Sequence, residues 1–317
     1  MDDEQIIAPA DFRETVWGVH PTTLGPLSTA LRATDRPEPR LEAARPRAAV
    51  SQGGVAVIPL KGLITPRPSF LSMLFGGGGG LQSFRAQIRD AVNAEDITAI
   101  ILDVDSPGGS TDLIAETADE LRAARAVKPI VAVANTWAAS AAYWLAAQAD
   151  ELVVTPSGEV GSIGVYCAHE DYSGFEDQIG IKTTLISAGK YKTEGNPYEP
   201  LSDEARQALQ DKVDAYYAMF VADVAKGRGV SASAVRAGYG EGRMLTAGDA
   251  VSEKLADRVD TLEATITRLV KSPAKARRRA SAQPPISEGN PEPTPPDGGQ
   301  EAPSVPSGAY VDLMFAP

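Results

Sequence analysis

The chain has 317 residues, of which 43% are hydrophobic and 23% are charged, a composition typical of a globular protein with a substantial core. A single cysteine, Cys167, excludes an internal disulfide and a cysteine-based zinc site, and two histidines, His20 and His169, are too few for most metal sites, so we expect neither a metal nor another cofactor. The formal net charge of −12 argues against a general nucleic-acid-binding protein.

The two ends of the chain differ in composition from its middle. The start is acidic and no uncharged apolar run follows it, so we expect no signal peptide, no membrane segment and a cytoplasmic protein. Residues 1–52 are predicted to form an irregular arm. Residues 271–317 hold ten of the 24 prolines and are predicted to be a disordered tail. The block between them, 53–270, has the size of one domain.

Strands and helices are predicted to alternate within this block. Apolar runs predict strands at 55–60, 97–104, 129–134, 151–154 and 183–187. Helix-spaced apolar residues predict helices at 81–93, 112–126, 138–147 and 202–226, the last beginning at an N-cap Ser202. This alternation predicts an α/β fold with a largely parallel sheet flanked by helices.

A glycine-rich insertion interrupts this pattern near its start. An apolar run, Phe70–Phe75, is followed by five glycines, Gly76–Gly80. No Lys-Ser pair follows, so the glycines do not form a phosphate-binding loop. Two interpretations remain open: a mobile lid or oligomer-contact loop, and a disordered surface insertion.

Four stretches of the block carry chemically useful residues. The turn DSPGGS at 105–110 follows a buried strand, and its glycines let backbone N–H groups approach a ligand. The stretch TWAASAAYW at 136–144 places Ser140 among alanines where a strand passes into a helix, a position that suits a helix-capping or packing serine as well as a nucleophile. The other two are GSIGV at 161–165 and SAGKYK at 187–192. A lysine in a dry site loses its proton more readily and is then able to act as a base.

Together these stretches resemble the signal-peptide-peptidase (SppA-like) family of serine proteases, the S49 group. The resemblance covers about residues 53–260 and includes a late segment, GRMLTAGDA at 242–250, that is similar to the family's G-R-x-x-T pattern. It implies a ClpP/crotonase-like fold for a peptidase domain at 53–270. By motif position it implies Ser140 as the nucleophile, Lys192 as the general base 52 residues later, and Ser162 as the residue that orients this lysine.

The same resemblance implies an oxyanion hole. Its donors would be the backbone N–H groups of Gly108 or Gly109 together with that of Ala141. Members of the family commonly have glycines after the nucleophile, whereas this chain has Ala141 and Ala142. Alanine keeps the N–H group, so we expect the hole to persist beside a slightly narrower pocket.

Two other residues compete with Lys192 for the role of base. Lys190 lies two residues away and shares a face with Lys192 on an extended segment, so spacing alone leaves both open. His169, followed by Glu170 and Asp171, allows a Ser-His-Asp arrangement. A histidine base would give an activity limb near pH 6–7, and a lysine base one at higher pH.

The sequence after the lysine motif, GNPYEPL at 195–201, looks like that of the phage-encoded branch of the family. That likeness implies a prohead protease, located in the host cytoplasm and the phage prohead, that cuts scaffold, capsid or portal proteins and in some cases itself. It also implies a homo-oligomer and no membrane or nucleic-acid partner. One alternative is a soluble peptidase of the same family that degrades signal peptides or other short peptides. A second is a non-proteolytic structural protein that keeps the fold.

Overall fold

The computed structural model describes residues 17–19, 50–68 and 80–271. The predicted tail after residue 271, most of the predicted N-terminal arm and the apolar run of the glycine-rich insertion lie outside these residues. The bounds of the strands are β1 (Trp17–Val19), β2 (Val50–Gln52), β3 (Val55–Lys61), β4 (Ala99–Ser106), β5 (Gly108–Ser110), β6 (Ile130–Ala139), β7 (Glu151–Val154), β8 (Glu159–Gly161), β9 (Met244–Thr246) and β10 (Arg258–Val259). Those of the helices are α1 (Gly80–Asn93), α2 (Ile114–Val127), α3 (Ala141–Ala146), α4 (Ser173–Ile179), α5 (Asp203–Arg228), α6 (Ala232–Ala237), α7 (Ala247–Ser252) and α8 (Leu262–Lys271).

The main sheet has eight strands and is mostly parallel. Six strands follow the order β10-β7-β6-β4-β3-β2, while β8 pairs with the end of β6 and β9 pairs with β8. The pairs β3–β4, β4–β6, β6–β7, β6–β8 and β7–β10 are parallel, whereas β2–β3 and β8–β9 are antiparallel. The carboxyl ends of β4, β6 and β8 therefore meet at one edge, which is where the side chains of interest lie.

Helices cover the sheet on both faces, and the first halves of its central strands β4 and β6 are apolar. On one face, side chains such as Ile100 and Leu102 pack with α1, α2, α3 and α5 in the larger core. On the other face, Ile101 and Val133 pack in a smaller cluster with Leu269 of α8. Strands buried on both faces explain why the sequence shows nearly continuous apolar runs there. The predicted α/β fold with a largely parallel sheet flanked by helices is confirmed.

Most of the predicted elements exist, with shifted ends. The strand predicted at 129–134 continues as β6 to Ala139, which shortens the following helix to α3. The predicted N-cap is confirmed, since the Ser202 hydroxyl accepts a hydrogen bond from the Ala205 N–H at 3.1 Å. The strand predicted at 183–187 is wrong: these residues have no regular secondary structure, and Ile186 is 97% exposed. β-branched residues favour a strand only where a neighbouring strand pairs with them.

A second, two-stranded sheet lies at the end of β4. β1 pairs antiparallel with β5 in the register Trp17 to Ser110, Gly18 to Gly109 and Val19 to Gly108. The opposite edge of β5 contacts Ile64, which forms a parallel bridge with Gly109.

Candidate active site

Ser140 lies in a sharp turn between β6 and α3. Its backbone has φ 53° and ψ −120°, a conformation that costs free energy for any residue other than glycine. The side chain is 1% exposed, and its Oγ donates to the carbonyl of Gly164 at 3.3 Å. Its neighbours Ala139 and Ala141 are fully buried, so only small residues fit beside it. A polar side chain held in a strained, crowded turn is typical of a nucleophile.

The glycine turn predicted to supply oxyanion donors lies beside this serine. Ser106 pairs with Ala138, two residues before Ser140, and so brings β5 next to the turn. The N–H of Gly108 is already used, since it donates to the Ser106 hydroxyl at 3.1 Å. Ser106 is itself held by donation to the carbonyl of Gly62 at 2.6 Å. Of the two candidate glycines, Gly109 is therefore the one whose N–H is directed away from this network.

Gly109 is required for steric reasons as well. A side chain on this residue would place its Cβ 1.9 Å from the carbonyl oxygen of Ile64, an impossible approach to backbone. The Ile64 N–H donates to the Gly108 carbonyl at 2.8 Å, and the Ser110 N–H donates to the Ile64 carbonyl at 2.9 Å. These two bonds hold β5 flat against residues 62–64 and fix the direction of the Gly109 peptide.

The third stretch, GSIGV, also reaches Ser140. The Ser140 N–H donates to the Gly161 carbonyl at 2.8 Å, and the Ser162 N–H donates to the Arg243 carbonyl at 2.8 Å. Ser162 is buried and, like Ser140, has a positive φ of 53°. The structure thus brings three of the four predicted stretches to one edge of the sheet. The side-chain hydroxyl of Ser162 forms no hydrogen bond to Ser140 or Lys192.

The fourth stretch is not brought to the site. Lys192 lies in a turn within the segment 181–200, which has no regular secondary structure and is largely exposed. Its backbone N–H donates to the Gly189 carbonyl at 3.2 Å. The Lys192 ammonium is exposed and forms no hydrogen bond or ion pair with any residue that the structure describes. The conformation described here therefore does not contain an assembled Ser-Lys pair.

Lys190 is engaged elsewhere. Its ammonium donates to the Tyr191 hydroxyl at 2.6 Å and to a Glu204 carboxylate oxygen at 3.0 Å, and it lies over the Tyr191 ring. The hydrogen bond to Tyr191, followed by that to Glu204, raises the pKa of Lys190. A raised pKa keeps the ammonium charged, which is the opposite of what a general base requires.

His169 likewise contacts a different residue. Its Nε2 lies 3.1 Å from the carbonyl oxygen of Asn196, and its ring lines a cavity of about 510 Å³ between residues 165–169 and the first half of α5. Cys167 lines the same cavity, and burial raises the pKa of its thiol. Neither side chain hydrogen-bonds to Ser140.

A buried polar network that motif reading missed ties α3 to α5. The Trp144 Nε1–H donates to Asp223 Oδ2 at 2.9 Å, and the Trp144 ring stacks on Phe220 with centroids 4.5 Å apart. Arg122 of α2 donates to Asp223 Oδ1 at 3.0 Å and to Gln148 Oε1 at 2.6 Å. Because α3 begins directly after Ser140, this network fixes the helix that sets the serine's position. In the sequence, the one indication of this network is Asp223, a lone aspartate on the apolar face of the last turns of α5.

Across the described ranges, no group of three His, Cys, Asp or Glu side chains is arranged to hold a metal ion. No helix within those ranges is long and apolar enough to cross a membrane.

Fold and site together define a class of protein. A buried serine, Ser140, a glycine turn and a loop with a second serine, Ser162, lie at the ends of parallel strands, at one edge of a helix-flanked sheet. This arrangement is typical of enzymes with a serine nucleophile. Comparison with known sequences is more specific: residues 122–276, just under half of the chain, match the sequence model of peptidase family S49. This match agrees with the resemblance that the motifs carry, and the observed sheet agrees with the ClpP/crotonase-like fold expected of that family.

The similar proteins include two from phages. The chain is 35% identical to the capsid assembly protease C of Escherichia phage lambda, over 57% of this chain and 41% of that protein. It is 36% identical to the head-tail preconnector protein GP5 of Enterobacteria phage P21, over 57% of this chain and 36% of that protein. The chain thus spans less than half the length of either relative. Among solved structures, a mutant of the 1510-N membrane-bound stomatin-specific protease matches at 16% identity and a TM-score of 0.42, over 69% of this chain and 86% of that one.

Proposed function

We propose that this protein is a serine endopeptidase in which Ser140 is the nucleophile. The observation that carries the proposal is the strained, buried turn of Ser140, whose hydroxyl is held 3.3 Å from the Gly164 carbonyl beside the glycine turn of β5. A turn that costs free energy persists where function requires it. The match of residues 122–276 to peptidase family S49 supports peptide-bond hydrolysis as the reaction.

In the proposed mechanism, Ser140 Oγ attacks the carbonyl carbon of the scissile peptide bond. Lys192, neutral at that point, accepts the hydroxyl proton and then donates it to the departing amine. Water then attacks the acyl carbon and Lys192 accepts its proton. Lys192 returns that proton to Ser140 Oγ as the acid product leaves. Ser162 is proposed to orient the lysine amine.

The negative charge that develops on the carbonyl oxygen needs two donors. We assign the N–H of Gly109 and that of Ala141, because the Gly108 N–H is occupied by Ser106. Ala141 is the first residue of α3, where an N–H group has no partner within the helix. Donors fixed by the backbone stabilise such a charge without first having to reorient.

The proposed mechanism requires Lys192 to move next to Ser140. The segment around it exposes an unusual set of apolar side chains, namely Phe175, Ile179, Ile181, Leu185 and Ile186. Burying such a patch is favourable by about 25 cal/mol per Å² of apolar surface. We propose that it packs against a second copy of the chain in a homo-oligomer, and that this packing brings Lys192 to a Ser140.

Mixing two inactive variants tests the assignment and the assembly together. Ser140→Ala and Lys192→Ala should each lower peptide hydrolysis by at least about 10³-fold, while the matched variant Lys190→Ala keeps the wild-type rate. An equimolar mixture of the two inactive variants should recover measurable activity if the lysine serves the serine of another copy. No recovery places both residues in one copy. Wild-type activity in either single variant would refute the dyad.

For the substrate, we propose proteins of phage head assembly, processed in the host cytoplasm or in the prohead. The support is the similarity to the lambda capsid assembly protease. Co-expression with candidate capsid, scaffold and portal proteins should yield discrete cleavage products that mass spectrometry detects with the wild type and not with Ser140→Ala. Cleavage of short apolar peptides alone, with the head proteins left intact, would favour the alternative of a signal-peptide-degrading enzyme. Unchanged processing by Ser140→Ala would favour a non-enzymatic structural role.

A further inference from the structure

The two edges of β5 have different occupants. One edge contacts residues 62–64, as described above. The other edge pairs antiparallel with β1, a strand from the beginning of the chain that lies about 90 residues before β5 in the sequence. β1 has three residues and pairs with β5 in a two-stranded sheet separate from the main one.

Backbone alternation shows what the second edge presents. The Gly108 carbonyl and the Ser110 N–H both bond to Ile64, so they point to the first edge. Along a strand, the N–H and carbonyl groups of successive residues point to opposite edges. Those of Gly109 therefore point toward β1, where Gly18 lies directly opposite in the register.

This is the direction in which a substrate would have to bind. In the proposed function, the Gly109 N–H donates to the carbonyl oxygen that Ser140 attacks. An extended peptide that places a carbonyl there would run along the second edge of β5 and pair with it through its backbone, as in other cases of strand addition. β1 already holds that position, with Gly18 at the place of the attacked residue.

We infer that residues Trp17–Val19 occupy the substrate-binding edge of β5, so that a peptide substrate has to displace this segment of the chain before it binds. The inference rests on the proposed function for its consequence in catalysis. The preferred competitor is an extended peptide with a small residue opposite Gly109, since Gly18 has no side chain. A tethered segment competes at a high effective concentration. A pairing of three residues in a two-stranded sheet is nonetheless weak enough to be displaced.

A binding experiment tests the inference without requiring catalysis. The host is the full chain with Ser140→Ala, and the probe is a labelled synthetic peptide of residues 13–22. Gly18→Pro in the host removes the N–H that pairs with Gly109, whereas the matched control Gly18→Ala keeps it. Gly18→Pro should bind the probe about three- to tenfold more tightly than the control, as expected for the loss of one or two backbone hydrogen bonds.

A second probe, carrying proline at the position of Gly18, should bind weakly to every host. Hydrogen exchange gives an independent readout, since the Gly109 amide should exchange at least about tenfold faster in Gly18→Pro than in Gly18→Ala. Equal probe affinity in the two hosts, or no binding to either, would overturn the inference.

Hydrolysis is measured separately in chains that retain Ser140. There, Gly18→Pro should lower KM for a short peptide by a similar factor with little change in kcat. If none of these chains hydrolyses any peptide while the binding difference persists, the proposed function fails and the competition between the two peptide strands stands.

Discussion

Replacing Asp223 by alanine should destabilise the protein strongly. Asp223 is 6% exposed, and its carboxylate accepts hydrogen bonds from the Trp144 indole and the Arg122 guanidinium. Removing one partner of a buried ion pair costs about 3–5 kcal/mol, and Arg122 would keep Asp119 and Gln148 as partners, so we expect a loss near the lower end, about 3 kcal/mol. The buried Trp144 N–H would be left without an acceptor, which contributes to that loss.

Chemical unfolding followed by circular dichroism measures this effect as a change in the free energy of unfolding. The conservative variant Asp223→Asn keeps an oxygen for Trp144 and should lose only about 1–2 kcal/mol. Glu204→Gln, which removes an exposed carboxylate elsewhere on the same helix, should stay within about 0.5 kcal/mol of the wild type. If Asp223→Ala also stayed within that margin, the network would not hold α3 in place, and the reasoning would be wrong.

Three further changes test the site itself. Glu204→Gln removes a carboxylate that raises the pKa of Lys190, so the pKa of Lys190 should fall. Because Lys190 is not the proposed base, the pH dependence of the hydrolysis rate should not change. A rate profile shifted to lower pH would instead identify Lys190 as the base. Gly109→Ala forces a Cβ against the Ile64 carbonyl and should lower kcat by about 10²–10³-fold, and a near-wild-type kcat would remove Gly109 from the oxyanion hole. Cys167→Ser should leave hydrolysis unchanged. In the wild type, burial raises the pKa of the Cys167 thiol, so iodoacetamide should modify it more slowly at neutral pH than it modifies a free cysteine.

The sheet was predictable from the sequence because its central strands are buried on both faces. The runs that became β4 and β6 are almost uninterrupted apolar sequence, which indicates a strand covered by helices on either side. β1 and β5 have three residues each, too short for any periodicity to show, so their pairing is visible only in three dimensions. The run at 183–187 has strand composition without a strand neighbour, and composition alone does not supply one.

Motif order predicted most of the candidate site. The tight turn at Ser140 needs small neighbouring residues, and the turn after β4 needs paired glycines. Both needs concern residues that are adjacent in the chain, so both are visible as short sequence motifs. Asp223 and Arg122 are 101 residues apart, and a contact across that separation has no local pattern to reveal it. The placement of Lys192 depends on how an exposed segment packs, which the residues of the motif do not determine.

In the proposed mechanism, Ser140 is the nucleophile and depends on Lys192. A fluorophosphonate probe, which forms a covalent bond with an activated serine hydroxyl, tests it most directly when the modified residue is mapped by mass spectrometry. We predict a single adduct on Ser140 in the wild type, none in Ser140→Ala, and labelling of Lys192→Ala slowed by at least about 10²-fold. An adduct on another residue, or labelling of Lys192→Ala at the wild-type rate, would contradict the account.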